Sequence, residues 1–169
     1  MNNLDCGLNK SLKTLNAGGC SNLTTINCNY CSLTNLNVDG CSNLLWLTCI
    51  YNSLTNLDVS SCVNLTNYLD CGHNSITNLN LRGCSKLQSL LCNDNKLARL
   101  DVSSCNALVI INCQNNAIQS EIPDWFRQLK EFRHDARYNY YILDGKILYT
   151  DNSFGWWYPG EPEKGYHRW

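Results

Sequence analysis

Residues 44–62 read LLWLTCIYNSLTNLDVSSC, and variants of this stretch recur on both sides of it along the chain. Eleven of the twelve cysteines fall on two series in which each step is 21 or 22 residues. A fixed period of this length predicts a solenoid, in which one supersecondary unit is stacked coil upon coil. The first series is Cys6, Cys28, Cys49, Cys71, Cys92 and Cys113, and the second is Cys20, Cys41, Cys62, Cys84 and Cys105.

Each unit follows the pattern LxxLxCxxNxL, as in Leu44, Leu47 and Cys49. These residues are spaced to point inward from an extended segment, which predicts one parallel strand per coil. A second apolar pair, Leu57 and Val59 in this coil, leaves little room for a helix. The pattern is that of leucine-rich repeats, with Cys in place of the third Leu. We predict a leucine-rich repeat solenoid over residues 1–118, of the α/β horseshoe class but mostly β, with 21–22-residue repeats and a parallel β-sheet.

An asparagine recurs where each strand must turn, and one coil carries Cys31 in its place. An inward amide at a bend can hydrogen-bond backbone groups that the bend leaves unpaired. The coil with Cys31 is therefore expected to be less well satisfied. The column consists of Asn9, Asn52, Asn74, Asn95 and Asn116.

Twelve cysteines in a chain of this length would ordinarily suggest disulfides or a metal. Stacked strands lie about 4.8 Å apart with parallel side chains, whereas a disulfide needs Cβ atoms about 3.8 Å apart and turned toward each other. We therefore interpret the series as small, buried, free thiols. Cys28 and Cys31 form one CxxC, but no second CxxC or histidine cluster completes it, so neither metal nor cofactor is predicted. Cys31 is the thiol expected to be accessible.

Charge favours neither nucleic acid nor a membrane as partner. Thirteen basic and fourteen acidic residues are interspersed, and no stretch is long and apolar enough to cross a bilayer. The repeats begin almost at Met1 without a cap, so the chain is expected to be a fragment or to lack its export signal. It is expected to be a monomer, or a dimer through this uncapped N-terminal edge.

Residues 119–169 differ in composition from the repeats and are predicted to form a capping segment. Ile122–Phe132 has a proline at a helix start and apolar residues at helical spacing, which predicts a short helix. Asp144-Gly145, between two β-rich runs, predicts a hairpin. An aromatic tail follows, which would cover the last coil or, alternatively, stack on sugar rings. Its aromatic residues are Trp156, Trp157, Tyr158 and Trp169.

Side chains between the inward positions of the first strand are predicted to face solvent, and many of them are aromatic. A contiguous patch of exposed aromatic residues indicates a contact site, although strands also accept aromatic residues for structural reasons. Trp46, Tyr51 and Tyr68 are the predicted anchors. The predicted ligand-binding face consists of Tyr30, Trp46, Thr48, Ile50, Tyr51, Tyr68, Asp70, His73, Leu91 and Asn93.

Asp70, Cys71 and His73 together have the composition of a nucleophile with its base. Cys71 belongs to the inward series, however, whereas Asp70 is expected to point outward, so the three side chains cannot converge. The chain is predicted not to be an enzyme, and no catalytic residue is assigned.

At the level of LxxLxCxxNxLxxLDVSxC, residues 4–118 resemble bacterial surface leucine-rich repeat proteins of the cysteine-ladder kind. These include the cysteine-containing branch of the internalins and related proteins of gut bacteria. The resemblance implies a secreted or cell-surface protein that binds a host protein or a glycoprotein through the repeat face. The alternatives are glycan binding through the aromatic tail and a purely architectural spacer.

Overall fold

The computed structural model describes residues 2–113 and 115–118, and the backbone of three strands at 132–135, 140–143 and 146–149. Within these residues every regular element is a strand. The strands are β1 (Asn3–Asp5), β2 (Thr14–Asn16), β3 (Thr25–Asn27), β4 (Asn35–Asn37), β5 (Trp46–Thr48), β6 (Asn56–Asp58), β7 (Tyr68–Asp70), β8 (Asn78–Asn80), β9 (Ser89–Leu91), β10 (Ile110–Asn112), β11 (Phe132–Asp135), β12 (Tyr140–Leu143) and β13 (Lys146–Tyr149).

One parallel sheet takes the first strand of every coil, in the order β1-β3-β5-β7-β9-β10. Leu47 pairs with Leu69, and Leu69 with Leu90, so equivalent residues lie side by side. In each strand the middle residue points into the core while its neighbours face outward. The predicted parallel sheet with one strand per coil is confirmed. We call the outward side of residues 3–8, 25–30, 46–51, 68–73, 89–94, 110–113 and 115 the front face.

The opposite side of the coils, the back, carries a second set of short strands. β2 pairs with β4, and β6 with β8, both in parallel. β4 and β6 belong to different sheets, however, so the back ladder is broken between them. Short strands on both sides of a thin coil agree with the repeat pattern, which does not reveal the break.

The core is a stack of inward side chains, one layer per coil. Leu44, Leu47 and Leu54 have no exposed surface, and their equivalents in the next coil are buried in the same way. All twelve cysteines are free thiols, as predicted, and most of them are buried. Burial raises the pKa of Cys28 to about 12 and that of Cys84 to about 12. These thiols stay protonated and act as small apolar side chains.

Four of the five asparagines in the column bond the backbone at the bend, as predicted, and join neighbouring coils. Asn9, in the first coil, is exposed instead, and its Oδ1 accepts the Ser11 N–H of its own turn. The Nδ2 of Asn74 donates to the carbonyl oxygen of Cys49 in the preceding coil at 2.9 Å and to that of Cys71 at 3.1 Å. Its Oδ1 accepts the Leu54 N–H at 3.0 Å. Each of the four amides therefore ties two coils together at the bend. Equivalent bonds are made by Asn52, Asn95 and Asn116.

The accessible thiol is Cys20, so the prediction of Cys31 is wrong. Cys31 is 8% exposed, and its Sγ donates to the carbonyl oxygens of Cys6 at 3.3 Å and Asn29 at 3.5 Å. It thus takes over part of the asparagine's role at this bend. Cys20 is exposed because it comes first in its series, whereas the next member, Cys41, packs over an earlier coil and donates to its backbone.

Brief alkylation of the native protein is expected to label Cys20 at least about tenfold faster than Cys28 or Cys71, because buried thiols react only after the coil opens. Mass spectrometry of proteolytic peptides measures the site. Cys20→Ser should remove the fast product, and denaturant should expose all twelve thiols. Rapid labelling of Cys31 would contradict the observed burial.

Strand β13 continues the front sheet beyond β10, with Ile111 beside Leu148. β13 pairs antiparallel with β12, Leu143 lying opposite Lys146, and β12 pairs antiparallel with β11. This pairing matches the hairpin pattern, but the predicted helix is not supported. Phe132, its last residue, begins a strand that pairs with β12, and the remainder lies outside the described residues. A cap of helix plus hairpin is therefore not supported as a unit, and the aromatic tail also lies outside the described residues.

Candidate functional site

The residues predicted to bind a ligand lie together on the front face. Tyr30, Trp46 and Tyr51 are the most open, at 45%, 41% and 44% exposed. Two of their neighbours, Gly72 and Ser89, are buried. The other predicted residues are half-buried, namely Thr48, Ile50, Tyr68, Asp70, His73, Leu91 and Asn93.

Trp46 and Tyr68 are paired residues on the neighbouring strands β5 and β7. Their ring centroids are 4.8 Å apart, with planes inclined by 37°. The Tyr68 hydroxyl donates to Asp70 Oδ2 at 2.9 Å, which orients the phenol ring. On its other side Trp46 pairs with Thr25, whose small side chain cannot cover the indole. One side of the indole is therefore open to a partner.

A second aromatic group lies where the chain turns after each front strand. The residue at this turn has a left-handed backbone, with φ between 53° and 63°. Asn, Asp and His adopt this conformation more readily than bulky residues, which rarely do so. We call these residues the turn column: Leu8, Tyr30, Tyr51, His73, Asp94 and Asn115.

Three rings of the turn column form a continuous stack. Tyr30 and Tyr51 have centroids 4.7 Å apart and planes 15° apart, and for Tyr51 and His73 the values are 4.1 Å and 4°. Both faces of the Tyr51 ring are therefore covered. The exposed surface of Tyr51 is formed by its edge and hydroxyl.

Beyond His73 the turn column becomes negatively charged. His73 Nδ1 lies 3.4 Å from Asp94 Oδ2. The Asp94 carboxylate also accepts the Nδ2 of Asn93 at 2.6 Å and that of Asn115 at 2.7 Å. Partial burial by itself would raise the pKa of Asp94, but the two amides and His73 outweigh it and lower that pKa. Asp94 is therefore ionised at neutral pH.

Asp70 lies between the Trp46–Tyr68 pair and the ring stack. Its Oδ1 accepts the Gly72 N–H at 3.0 Å, while its Oδ2 holds the Tyr68 hydroxyl. Burial raises the pKa of Asp70, against the opposing effect of these hydrogen bonds and of nearby His73. The carboxylate thus fixes both the strand end and an aromatic ring.

The groups that resemble a catalytic set do not converge. Cys71 is buried in the core, which raises the pKa of its thiol, while Asp70 and His73 lie on the outside. Within residues 2–113 and 115–118, no group of three His, Cys, Asp or Glu side chains could hold a metal ion. That same part of the chain contains no helix able to cross a membrane.

The back of the solenoid carries a cleft that the repeat pattern does not predict. It has a volume of about 390 Å³ and lies at the break between β4 and β6. Its sequence signal is Ser61, which stands where neighbouring coils have Gly40 and Gly83 and whose Oγ accepts the Gly40 N–H at 2.9 Å. The cleft is lined by Asn35, Leu36, Asn37, Asp39, Asp58, Ser60 and Ser61.

The parallel front sheet, the two cysteine series and the asparagine column define a leucine-rich repeat protein of the cysteine-ladder class. Among solved structures, the chain is similar to the functional domain of InlJ from Listeria monocytogenes, which includes a cysteine ladder. The two are 26% identical with a TM-score of 0.70, over 89% of this chain and 34% of the InlJ chain. This chain thus spans about a third of that structure. No protein-family profile and no curated protein matches it.

Proposed function

We propose that this chain is a non-enzymatic binding module of a bacterial surface or secreted protein, and that it binds a protein or glycoprotein through its front face. The observation that carries the proposal is the row of exposed rings on that face. Tyr30, Tyr51 and His73 form its stack, and Trp46 lies beside Tyr68. The similarity to a Listeria domain supports a bacterial protein with a binding role at a surface.

Stability alone does not account for the tyrosines of the turn column. A left-handed residue with a Cβ costs about 1–2 kcal/mol, and an aromatic pair contributes about 0.5–1.5 kcal/mol beyond its buried area. The strain at Tyr30 and Tyr51 therefore offsets most of what their stacking contributes beyond the burial of their surface. Asn115 occupies the same backbone position, and asparagine is better suited to it. Exposed tyrosines in a strained backbone position that asparagine adopts more readily favour a role in recognition.

The repeats also show that the front strands do not require large rings. The position of Trp46 in β5 is occupied by Thr25 in β3, with the same register. Threonine is a good strand residue, so the sheet forms equally well with a small side chain there. Tryptophan and tyrosine are enriched among the residues that dominate binding energy, and here they lie in neighbouring coils.

Replacing Trp46 and Tyr68 together by threonine should remove binding at nearly unchanged melting temperature. The folded chain is first used to capture partners from host and bacterial surface fractions. The affinity of the captured partner is then measured for both proteins. We expect it to fall about a hundredfold or more, since central aromatic side chains often contribute about 2 kcal/mol each.

Asn56→Thr with Asn78→Thr provides the matched control, because these residues are likewise paired on neighbouring strands but lie on the back. The control should bind like the unmodified chain. Equal affinity of the Trp46→Thr, Tyr68→Thr variant and the control would exclude the front-face pair as the binding site. Failure to capture any partner from either fraction would favour the alternative function, in which the repeats are a purely architectural spacer.

A further inference from the structure

We infer that the partner meets the front face with positively charged side chains, arginine above all, so that the ligand is a basic protein segment. This inference rests on the proposed function of the front face and adds the chemistry of its ligand. It is carried by the distribution of charge over the repeats and by the position of two carboxylates beside the aromatic rings.

Charge is divided unevenly between the two sides of the solenoid. Residues 1–118 contain six basic and six acidic side chains. On the front face, as far as the structure describes it, there are three aspartates, Asp5, Asp70 and Asp94, and no lysine or arginine. All six basic residues lie outside the strands, in the segments that connect the front and back of the coils. A face with one sign of charge attracts the opposite sign and rejects its own.

Two of these carboxylates lie directly beside the rings that the proposed function uses. Asp70 contacts the hydroxyl of Tyr68, and Asp94 lies 3.4 Å from the His73 ring. A carboxylate has about four acceptor sites, so the bonds already made leave room for a donor from a partner. Arginine suits this arrangement because its guanidinium pairs with carboxylates and also stacks on aromatic rings. The open side of Trp46 offers such a ring.

The same geometry argues against a carbohydrate ligand. Stacking on a sugar requires an open ring face, which Tyr51 lacks because Tyr30 and His73 cover both of its faces. Trp46 keeps an open side, and the charge beside it favours a cation there. Three negative charges would also repel sialylated or sulfated glycans. The features of the front face therefore fit a basic peptide segment better than a glycan.

Panning a displayed library of short random peptides on the full chain tests the inference. A parallel selection uses the Trp46→Thr, Tyr68→Thr variant. We expect the unmodified chain alone to select peptides rich in arginine and lysine, with affinity that weakens as salt is added. The synthetic form of the best peptide is then the probe. Asp70→Asn and Asp94→Asn should each weaken its binding about two- to fivefold.

These two substitutions are compatible with the fold because the repeat already uses them. Asn27 occupies the position of Asp70 two strands away, and Asn115 occupies that of Asp94. Asp58→Asn and Asp101→Asn neutralise carboxylates away from the front face and should leave binding unchanged. Circular dichroism and melting temperature confirm that all four variants fold alike.

The outcomes separate the inference from the proposed function. Selected peptides that lose binding to the Trp46→Thr, Tyr68→Thr variant but lack basic residues would overturn the inference. So would peptides that bind Asp70→Asn and Asp94→Asn as tightly as the unmodified chain. In both cases the front face would remain a binding site. Peptides that bind the double threonine variant equally well would contradict both. If no peptide is selected while neutral glycans on an array bind through Trp46, the basic-segment inference is wrong and the front face binds sugar.

Discussion

Replacing Asn95 by alanine is expected to lower the free energy of unfolding by about 3–5 kcal/mol. Asn95 is 9% exposed, and its Nδ2 donates to the carbonyl oxygens of Cys71 at 2.9 Å and Cys92 at 3.2 Å. Its Oδ1 accepts the Ile76 N–H at 2.8 Å. Alanine leaves the Ile76 N–H without this acceptor inside a packed bend, which costs about 1–3 kcal/mol. It also removes one of the two amide donors at each carbonyl oxygen, at about 0.5–1.5 kcal/mol per hydrogen bond, since Asn74 still donates to Cys71 and Asn116 to Cys92. Equilibrium denaturation in urea measures the difference.

Two comparisons make this result specific. Asn78→Ala removes an exposed amide from β8 and should change the stability by less than about 0.5 kcal/mol. Asn95→Cys copies the residue that the chain itself uses at Cys31, and should be intermediate. A thiol can donate to a carbonyl but is a poor acceptor for the Ile76 N–H. If Asn95→Ala were as mild as Asn78→Ala, the asparagine column would not hold the coils together.

The repeat period predicts the fold well because successive side chains of a strand point to opposite sides, so spacing alone decides which of them point inward. Leu44, Leu47 and Cys49 point inward in every coil that keeps the spacing, whatever the rest of the coil contains. Accessibility is not periodic, which is why Cys31 was the wrong choice. Whether a thiol is covered depends on the coil that packs beside it, and Cys20 differs from the rest of its series in that respect alone.

The candidate site could be predicted residue by residue but not as an arrangement. Alternation places Trp46 and Tyr68 outward on neighbouring strands, and the structure pairs them. The ring stack is harder to foresee because tyrosine rarely adopts a left-handed backbone. The signal lies in the same column further along the chain, where Asp94 and Asn115 are residues typical of that conformation. Comparing Tyr51 with Asp94 and Asn115 at the same position of later coils, rather than with the residues of the strand that precedes it, predicts the left-handed turn.

The C-terminal segment shows the limit of local pattern. Ile122–Phe132 has helical spacing, but Phe132 begins β11 and pairs with Leu143. A strand is stabilised by the neighbour it pairs with, and helical periodicity in a short window carries no information about that neighbour. The runs on either side of Asp144-Gly145 do pair antiparallel, as β12 and β13, although a cap of helix plus hairpin is not supported as a unit.

Leu47→Ala is expected to destabilise the solenoid by about 2–5 kcal/mol, measured by urea denaturation. Leu47 has no exposed surface and is paired in register with Ile26 and Leu69. Removing its isobutyl group leaves a cavity that the adjoining layers cannot close, since each coil is fixed by its ladder to the next. The midpoint of unfolding should fall accordingly, while the slope with denaturant stays close to that of the unmodified chain if the coils unfold together.

Trp46→Thr, one residue earlier in β5, provides the control that links stability to function. Its side chain is larger than that of Leu47 but 41% exposed, and threonine suits the strand, so a loss below about 1 kcal/mol is expected. The contrast between these adjacent residues tests whether Leu47 points into the core and Trp46 points outward, which the definition of the front face requires. A loss at Trp46 as large as that at Leu47 would mean that the indole holds the sheet together. Weaker binding by the Trp46→Thr, Tyr68→Thr variant would then report a damaged fold rather than a lost contact.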